Sequence, residues 1–544
     1  MTALNEAHKK LLRDYSRAVV HLRAQISLKR FSIIFGAGLS KPFDLPDWPR
    51  LVDQIAADPA IEGQEILKRF SGKGSLPYKT ELLFQHLRMR EATATGTYAF
   101  GSPEFESRTI AKWLQICKRY LYQHAPTDCV AALENHGYLL KYIPIIQNMP
   151  ITITYNFDDF LERALFMRKA AKDNTLGYET ITNPWTQFRR RDSVIYHPHG
   201  VLPRQLLEFP SDRLIFSESG YAQLFLGALT GDFSFLLNHF SKNTCLIIGS
   251  SLDDEDLRNI LVQSAKANPG NPHYAVHFLK PGEPISAEEA EAIRRANFHV
   301  YNLITLFLHE DEIAALGDLL NVQTIPNCEL ADRLAELDRP PAFNFYLTGA
   351  LTVGKSTAAS QFRNLMVLDE WTAPRLDLLA LPWDKLTPAE KDQVDQWIAN
   401  QFRIKNDRLR HENFGVALID RPPMDPLAFT EPSDRAAKAK LLLDAICPGD
   451  KWDVAPGTVV FLTADPKELA ARVLATGRDE YTEERLRRME ADLSSVYSGR
   501  GVRVVDTRGR SIDEVVKTVS EIVHFEEYVP FDFSGRLAEF RSGA

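Results

Sequence analysis

The chain has 544 residues and is therefore too long to fold around a single hydrophobic core. At about 150 residues per domain, its length predicts about three or four domains. Apolar residues make up 44% of the chain and charged residues 25%, as is usual for a soluble globular protein. The formal net charge of −8 argues against a general nucleic-acid-binding surface, which would be basic, but leaves room for a local basic pocket.

The cysteines and the first residues of the chain indicate in which cellular compartment the protein is expected. Five cysteines lie far apart in the chain, and no two of them form C-x-x-C: Cys117, Cys129, Cys245, Cys328 and Cys447. A disulfide framework or a zinc ribbon is therefore not expected, and the reducing cytoplasm is the predicted location. The first 30 residues are charged and lack the apolar stretch of a signal peptide. No apolar run approaches the ~20 residues that span a bilayer, so no membrane partner is predicted.

The first predicted element is an amphipathic helix, because apolar residues recur there at spacings of three and four. These residues are Leu12, Tyr15, Val19, Leu22 and Ile26. Packing of this helix on its own domain is favoured over a subunit interface.

Short strands alternate with helical segments over the rest of the first half. The strands read FSIIFGAG, ITITYNFDD, VIYHPHG, TCLIIGSSL and YAVHFLK, and such apolar runs are typical of a parallel sheet buried on both faces. The interval from about 60 to 145 has a helical pattern and is predicted to be an insertion in a Rossmann-like domain over residues 1–325.

A second series of strands follows two prolines near residue 340, and a domain boundary is predicted there. Its strands read FNFYLTG, LMVLDE, GVALIDR, TVVFLTA and VRVVDT. The predicted fold class is α/β, with two three-layer domains built on parallel sheets. The second domain is predicted to be P-loop kinase-like over 340–525, followed by a tail, rich in aromatic residues, over 526–544.

The most specific motif is GALTVGKST at residues 349–357, which fits G-x-x-x-x-G-K-[ST] and follows a strand. Gly349 and Gly354 let backbone N–H groups surround phosphates, and Lys355 is placed to neutralise the β- and γ-phosphates. Ser356 is the predicted Mg²⁺ ligand, Thr357 completes the nucleotide-binding set, and the following helix directs its positive end at the anion. The predicted ligand is ATP or another nucleoside triphosphate with Mg²⁺.

Charged residues after the neighbouring strands favour phosphoryl transfer, which depends on positioning and charge neutralisation. Asp420 and Arg421 end one strand, Glu370 lies between Asp369 and Trp371 after another, and Arg472 and Arg478 follow on a helix and loop. Residues of roughly 343 to 523 resemble the deoxynucleoside and thymidylate kinase group of P-loop kinases.

The kinase resemblance implies that Glu370 activates or binds the acceptor hydroxyl and that Arg421 holds its phosphate or sugar. It implies that Arg472 and Arg478 are lid arginines. The sequence departs from the group at DEW, where nucleoside kinases usually have a Glu-Pro step. The alternatives are a solvated loop carboxylate for Glu370 and a surface salt bridge for Arg472.

Polar residues also follow four strands of the first half, where parallel strands share one crevice. The four loops carry Gly36, Ala37, Gly38 and Ser40; Asn156, Asp158 and Asp159; His197 and His199; and Gly249, Ser250 and Ser251. This ordered set, covering about residues 30 to 305, resembles the sirtuin superfamily, in particular its NAD-hydrolysing branch in bacterial antiphage defence.

The sirtuin resemblance implies that NAD is a substrate to be cleaved. Gly36, Ala37 and Gly38 would allow the pyrophosphate to approach, with Gly249 and Ser250 in the same binding set, and Ser40 would cap the helix or bind phosphate. Asn156 would orient a water or a ribose hydroxyl, and Asp158 would bind a sugar hydroxyl. His199 would accept a proton, since histidine is the side chain suited to this near neutral pH.

Simpler interpretations accompany these roles. Asn156 is placed to cap a helix beginning in FDDFLERAL. His197 and His199, two apart on a strand, would face one side as half a metal site, with no further ligand evident. His199 is favoured as the catalytic histidine because it directly precedes the glycine. The run Asp253 to Asp256 is predicted to be a charged helix start and not a metal cluster.

The favoured function is an NAD glycohydrolase in antiphage defence, gated by the kinase-like domain. Protein deacylation is disfavoured, because the zinc-binding cysteines of deacylating sirtuins are missing and PFDLPDWPRLVDQ resembles the L-P-x-W-x-x-L step of the NAD-hydrolysing branch. The alternatives are a nucleoside or nucleoside-monophosphate kinase with a regulatory NAD-binding half, and a non-catalytic nucleotide-sensing scaffold. The expected partners are NAD, nucleotides or deoxynucleotides, a phage-derived activator and further copies of the chain.

Overall fold

A computed structural model describes the following residues: 4–70, 73–95, 99–135, 137–149, 151–172, 178–182, 193–204, 214–222, 234–381, 383–449, 453–475 and 481–542. The chain divides into two compact units. The first comprises Met1–His8, Ile26–Ser264 and His273–Ile325, and the second Lys9–Gln25, Ala265–Pro272 and Pro326–Ala544. No helix of the described residues is both long enough and apolar enough to cross a membrane.

The first unit is built on a parallel sheet of seven strands in the order β3-β4-β2-β1-β5-β6-β7. The strands are β1 Phe31–Phe35, β2 Ile151–Thr154, β3 Tyr178–Ile181, β4 Ser193–Tyr196, β5 Thr244–Ile248, β6 His273–Phe278 and β7 Leu303–Leu308. The central strands β1, β2 and β5 are buried along their whole length, as parallel strands covered on both faces are, and carry no charged residue. This confirms the predicted α/β class with a parallel sheet.

The position of β1 brings the candidate loops together. It pairs with β2 on one side and β5 on the other, with Phe35 opposite Thr154 and Ile248. Strand β4 pairs with the far side of β2. Because all these strands are parallel, the loops that follow them leave from the same edge of the sheet.

Helices cover the sheet of the first unit and fill the interval between β1 and β2. Those that are described are Trp48–Ala56, Gln64–Arg69, Leu76–Thr95, Pro103–Leu121, Cys129–Asn135, Leu139–Ile146, Phe160–Lys172, Ser234–Lys242, Glu255–Ala267, Ala287–Tyr301 and Glu310–Leu320. The buried face of Glu255–Ala267 joins one apolar cluster with Ile34, Ile153 and Ile247. This packing fixes the start of that helix close to the end of β5.

The second unit is built on a parallel sheet of five strands in the order β12-β11-β8-β10-β9, again as the fold class predicted. The strands are β8 Ala342–Gly349, β9 Met366–Leu368, β10 Gly415–Asp420, β11 Thr458–Thr463 and β12 Val502–Asp506. The described helices are Asn327–Glu336, Lys355–Ala359, Pro388–His411, Asp425–Ala428, Arg435–Ile446, Pro466–Leu474, Glu483–Val496, Ile512–His524 and Phe533–Ser542. The P-loop follows the central strand β8.

The helix Glu6–Ser27 contributes most of its length to the second unit, although the sequence predicted a first domain over 1–325. Arg17 Nη1 donates to Val523 O, and Nη2 donates to Glu526 O, each at 2.5 Å. His21 Nε2 lies 2.8 Å from Asn364 O. These contacts attach the helix to the end of the helix Ile512–His524 and to the loop before β9.

Candidate functional sites

The loops after β1 and β5 contact each other through their backbones. Gly36 N donates to Ile248 O at 2.9 Å, and Gly38 N donates to Gly249 O at 2.7 Å. A Cβ on Gly36 would lie 2.7 Å from Gly249 O, and one on Gly249, at φ +75°, would lie 2.7 Å from Leu39 N. These distances are shorter than any normal contact, so glycine is needed for the loops to meet. Approach of a pyrophosphate to these glycines stays a prediction.

A buried polar cluster joins the loop after β1 to the loop after β2. Ser40 Oγ donates to Asp158 Oδ2 at 2.6 Å and accepts from Asn156 Nδ2 at 3.2 Å. Asn156 Oδ1 is buried and has no hydrogen-bond partner within the described chain. Three of the predicted site residues are thus brought together, with one acceptor unused. Ala37 begins a 3-10 turn before this cluster, and Ser250 Oγ accepts from Leu252 N at 3.2 Å.

Asp158, and not Asn156, accepts a hydrogen bond from the first residue of the following helix. Asp158 Oδ1 accepts from Phe160 N at 3.1 Å, where the helix Phe160–Lys172 begins. The capping interpretation of Asn156 is therefore wrong, because its side-chain amide faces Ser40. Burial raises the pKa of Asp158 to about 6, although hydrogen bonds from Ser40 and from Phe160 N oppose this shift.

His197 is held by two partners and is fully buried. Its Nδ1 lies 2.9 Å from Asn156 O, and its Nε2 lies 2.8 Å from Glu162 Oε1. Burial alone would lower the pKa of His197, but Glu162 and the carbonyl of Asn156 outweigh it, and the pKa is raised. A ring bonded at both nitrogens fixes the backbone at Asn156 and has neither nitrogen available for a substrate.

His199 faces a different set of side chains. Its Nε2 lies 3.5 Å from Asp254 Oδ2 and 3.5 Å from Asp256 Oδ2, and only 4% of the side chain is exposed. The rings of Tyr155 and Tyr221 meet the imidazole edge-on, with centroids 4.9 and 5.4 Å away. The expectation that both histidines face one side is wrong, because β4 ends at Tyr196 and both rings lie beyond the strand.

Two carboxylates beside His199 were not foreseen from the sequence. Asp254 Oδ1 accepts from Leu257 N at 2.9 Å, so the run of acidic residues does begin the helix Glu255–Ala267 as expected. The same run also brings Asp254 and Asp256 to the histidine, from a loop about 55 residues away in the sequence. Predicting this contact would have required the order of the strands in the sheet, in which β4 and β5 lie on opposite sides of the pair β2 and β1.

The P-loop of the second unit folds around its own lysine. Lys355 Nζ donates to Gly349 O and to Ala350 O, both at 2.9 Å. Burial lowers the pKa of Lys355 to about 8. Gly354 has φ +102°, which favours glycine, and exposed Thr357 follows in the first turn. The helix Lys355–Ala359 has five residues, so the argument for phosphate binding rests on backbone N–H groups and not on a long helix dipole.

Ser356 and Asp420 form the oxygen pair of this site. Ser356 Oγ donates to Asp420 Oδ2 at 2.6 Å, and Asp420 Oδ1 is buried without a hydrogen-bond partner among the described residues. Lys405 Nζ donates to Asp420 O at 2.7 Å, from the long helix Pro388–His411. A hydroxyl and a carboxylate are ligands that Mg²⁺ accepts, so these two residues fit a magnesium-nucleotide site.

Glu370 and Arg421 are paired with each other. Arg421 Nε donates to Glu370 Oε1 at 2.6 Å, and Nη1 donates to Asp425 Oδ2 at 3.1 Å. Glu370 is thus an ion-paired residue rather than an isolated solvated carboxylate. Arg421 has φ +67°, a left-handed conformation that is uncommon outside glycine and that the two carboxylates hold in place. The role of Asp425 was missed, although it lies four residues after Arg421.

Of the two predicted lid arginines, only Arg472 lies within the described residues. Arg472 Nη2 donates to Glu468 Oε1 at 2.5 Å, and Nη1 reaches Thr352 O of the P-loop at 3.4 Å. Both the predicted salt bridge and a position next to the P-loop are present. Arg478 lies outside the described residues.

Comparison with known proteins gives one match in the first unit. Residues 150–301 match the family model described as SIR2-like domain. This region contains Asn156, Asp158, His197, His199, Gly249 and both aspartates beside His199. The first unit therefore includes a sirtuin-like region. No curated protein matches the chain.

Two solved structures show a limited likeness. The crystal structure of EHV4-TK complexed with TP4A is 12% identical, and 37% of this chain and 96% of that chain are covered at a TM-score of 0.23. The crystal structure of NadR protein in complex with NAD and AMP-PNP is 10% identical, with 69% and 88% covered at a TM-score of 0.24.

Proposed function

We propose that the first unit is an NAD glycohydrolase, which adds water across the nicotinamide–ribose bond and releases nicotinamide, ADP-ribose and a proton. The observation that supports this most is the buried cluster of Ser40, Asn156 and Asp158, in which Asn156 Oδ1 is left without a partner. A buried acceptor of this kind is costly unless a ligand or water uses it. Asn156 and Asp158 of this cluster lie, like His199, in the region 150–301 that matches the SIR2-like domain.

The reaction develops positive charge on the ribose as nicotinamide leaves with the bonding electrons. Asp158 accepts a hydrogen bond from a ribose hydroxyl and stabilises that charge when ionised. Asn156 Oδ1 accepts a hydrogen bond from the attacking water and so orients it. His199 takes the proton that the water loses, and the carboxylates of Asp254 and Asp256 stabilise the charge that the ring gains. The proposed path of the pyrophosphate is lined by residues of the loops after β1 and β5: Gly36, Ala37, Gly38, Ser40, Gly249 and Ser250.

The assay is release of free nicotinamide and ADP-ribose by the purified chain, measured chromatographically with and without MgATP. Asn156→Ala and His199→Ala should each reduce the rate by at least ~100-fold, the scale of a lost orienting or proton-accepting group. His299→Ala is the control, since His299 is an exposed histidine on the helix Ala287–Tyr301. NAD left intact by the unmodified chain under every nucleotide tried would overturn the proposal.

A second function is favoured by the pairing of Ser356 with Asp420. In this proposal the second unit binds a nucleoside triphosphate with Mg²⁺, with Glu370 and Arg421 at the acceptor side and Arg472 near the phosphates. The bound nucleotide either gates NAD hydrolysis or donates a phosphoryl group to a nucleoside or nucleoside monophosphate. Lys355→Ala should remove phosphorylated products, or the effect of ATP on nicotinamide release, while leaving the ATP-independent rate unchanged. A Lys355→Ala variant that behaves like the unmodified chain in both assays would contradict this role.

The wider role that we propose is bacterial antiphage defence, in which a phage-derived trigger activates NAD hydrolysis by an assembled form of the chain. This part rests on the resemblance of the four loops to the NAD-hydrolysing branch of the sirtuins. Expression in bacteria challenged with phage tests it. Protection that is lost in His199→Ala and kept in His299→Ala is the expected result.

A further inference from the structure

We propose that His199, Asp254 and Asp256 form a binding site for a divalent cation such as Zn²⁺, and that the bound ion prevents His199 from accepting a proton. The binding site is inferred from the geometry alone. Its inhibitory effect rests on the proposed NAD glycohydrolase activity.

The distances among the three side chains fit a shared ion better than hydrogen bonds. One donor atom from each residue lies within 4.8 Å of the other two. His199 Nε2 lies 3.5 Å from each carboxylate, longer than the ~2.7–3.2 Å of an N–H···O hydrogen bond. Tetrahedral zinc with bonds of about 2.1 Å places neighbouring donor atoms about 3.4 Å apart. The two separations from His199 Nε2 are close to that value.

Two of the three donor atoms are buried without a hydrogen-bond partner. His199 Nε2 and Asp256 Oδ2 both belong to side chains that are at least nine-tenths buried. Buried polar atoms that bond to nothing are uncommon, because removing them from water costs free energy that a partner must offset. An ion between them would satisfy both atoms at once.

The third ligand is held in place by its surroundings. Tyr221 OH lies 3.3 Å from Asp254 Oδ2 and donates to it, and Asp254 Oδ1 is held by Leu257 N. Ligands that are fixed by outer hydrogen bonds bind metal ions more tightly than mobile ones. Such a partner on Asp254 is therefore expected for a metal ligand.

The donor set indicates which cations would bind. One imidazole nitrogen and two carboxylate oxygens suit Zn²⁺ or Mn²⁺, while Mg²⁺ and Ca²⁺ prefer oxygen ligands alone. Three protein ligands leave a fourth position for water. Two carboxylates and a neutral imidazole carry a net charge of −2, which balances a divalent ion.

Metal binding and proton acceptance use the same electron pairs of the imidazole. An ion on Nε2 takes the lone pair of that nitrogen and leaves the ring proton on Nδ1. The ring then has no free lone pair with which to accept a proton from water. Occupancy of the site by a cation should therefore stop NAD hydrolysis, and a chelator should restore it.

The binding test uses the whole, untagged chain, freed of metal with EDTA and titrated with ZnCl₂ in calorimetry without NAD. We expect one tight Zn²⁺ per chain, with affinity reduced at least tenfold in both Asp254→Asn and Asp256→Asn. The matched control is Asp253→Asn, since Asp253 is an exposed neighbour in the same loop. Thermal melting of each variant checks that it folds. If only one of Asp254→Asn and Asp256→Asn melts like the unmodified chain, the Zn²⁺ affinity of that variant alone decides the test. Equal Zn²⁺ affinity in all four proteins would overturn the site.

The inhibition test measures nicotinamide release by the unmodified chain and by Asp253→Asn with increasing ZnCl₂. Loss of release at the concentration that fills the site, reversed by EDTA, is the expected result. Zn²⁺ that binds in calorimetry without slowing release would overturn the inhibitory effect and leave the site standing. A chain that hydrolyses no NAD would contradict the proposed function, while the calorimetric result still decides whether the cation binds.

Discussion

Ser356 Oγ donates a hydrogen bond of 2.6 Å to Asp420 Oδ2, which joins the residue after the P-loop lysine to the last residue of β10. A hydroxyl and a carboxylate so placed are suited to share Mg²⁺ with the phosphates of a nucleotide. Asp420 Oδ1 makes no hydrogen bond among the described residues and is a further oxygen donor.

Asp420→Asn should weaken binding of ATP at least tenfold in the presence of Mg²⁺ and much less in its absence. The reason is that an amide oxygen carries no charge to attract the ion. Calorimetric titration with and without Mg²⁺ measures both affinities. Asp444→Asn, at an exposed aspartate of the helix Arg435–Ile446, controls for the change of net charge. An equal loss of ATP affinity with and without Mg²⁺ would contradict the proposal that Asp420 binds the magnesium ion.

Lys355 should take up a proton when a triphosphate binds. Burial lowers its pKa to about 8, and phosphate charge next to the ammonium should raise the pKa again. Near pH 8 about half of the lysines are neutral before binding, so affinity should fall as the pH rises from 7 to 9. Calorimetry in buffers of different ionisation enthalpy counts the protons.

The controls for this titration are two methionine variants. Lys355→Met should abolish proton uptake on binding. Lys517→Met should retain it, because burial also lowers the pKa of Lys517 to about 8 but this residue lies on the helix Ile512–His524 and not in the P-loop sequence GALTVGKST. Uptake that is lost in Lys517→Met and retained in Lys355→Met would show that the wrong lysine has been assigned.

Asp158→Asn should stabilise the chain at neutral pH and impair NAD hydrolysis. A carboxyl whose pKa is raised by folding, here from 3.8 to about 6, contributes stability below its unfolded pKa and loses it as the pH rises through about 6. At pH 7 the ionised buried group costs at most about 3 kcal/mol, which the amide avoids. The melting temperature should therefore rise at pH 7 and change little at pH 4.

The comparison for Asp158 is Asp47→Asn. Asp47 also accepts a hydrogen bond at a helix start, from Arg50 N at 3.2 Å, but it is exposed. We expect no pH-dependent gain in stability from this change. A gain of equal size in both variants would mean that burial of Asp158 is not its cause.

Gly249→Ala should destabilise the first unit more than Gly282→Ala. Both glycines have positive φ, +75° and +81°, and so lose about 1–2 kcal/mol on gaining a Cβ. Only at Gly249 does the new atom meet backbone, 2.7 Å from Leu39 N, whereas nothing lies within 4 Å at Gly282. Overpacking there should cost a further ~1–3 kcal/mol. Thermal melts that show equal losses would refute the close contact between the two loops.

The sequence was informative where a local pattern determines the structure. Apolar runs predicted ten of the strands at their observed positions, and GALTVGKST predicted the loop after β8. Strands β3 and β7 were missed. Strand β3, YETI, has two polar residues in its middle and lies at the edge of the sheet, whereas β7, LITLFL, is an apolar run that the same pattern would have predicted. The four loops of the first unit were grouped correctly as a consequence of parallel strand order, although the functional roles of their residues stay predictions.

The sequence alone did not predict which residues far apart in the chain contact each other. His197 and His199 differ by two positions, yet one faces Glu162 and the other faces Asp254 and Asp256. The direction of each ring depends on the backbone after β4 ends and not on strand alternation. Lys9–Gln25 belongs to the second unit, because its partners lie hundreds of residues later, where no periodicity in the helix itself points to them.

The attachment of the first helix to the second unit has a consequence for synthesis on the ribosome. Arg17 is made 506 residues before Val523, whose carbonyl it contacts. At roughly 5–20 residues per second, between about 25 and 100 seconds pass before its partner exists. During that interval Val19 and Leu22, both buried in the finished fold, are without their final surroundings. The first helix can therefore make its final contacts with the helix Ile512–His524 only when nearly all of the protein has been made.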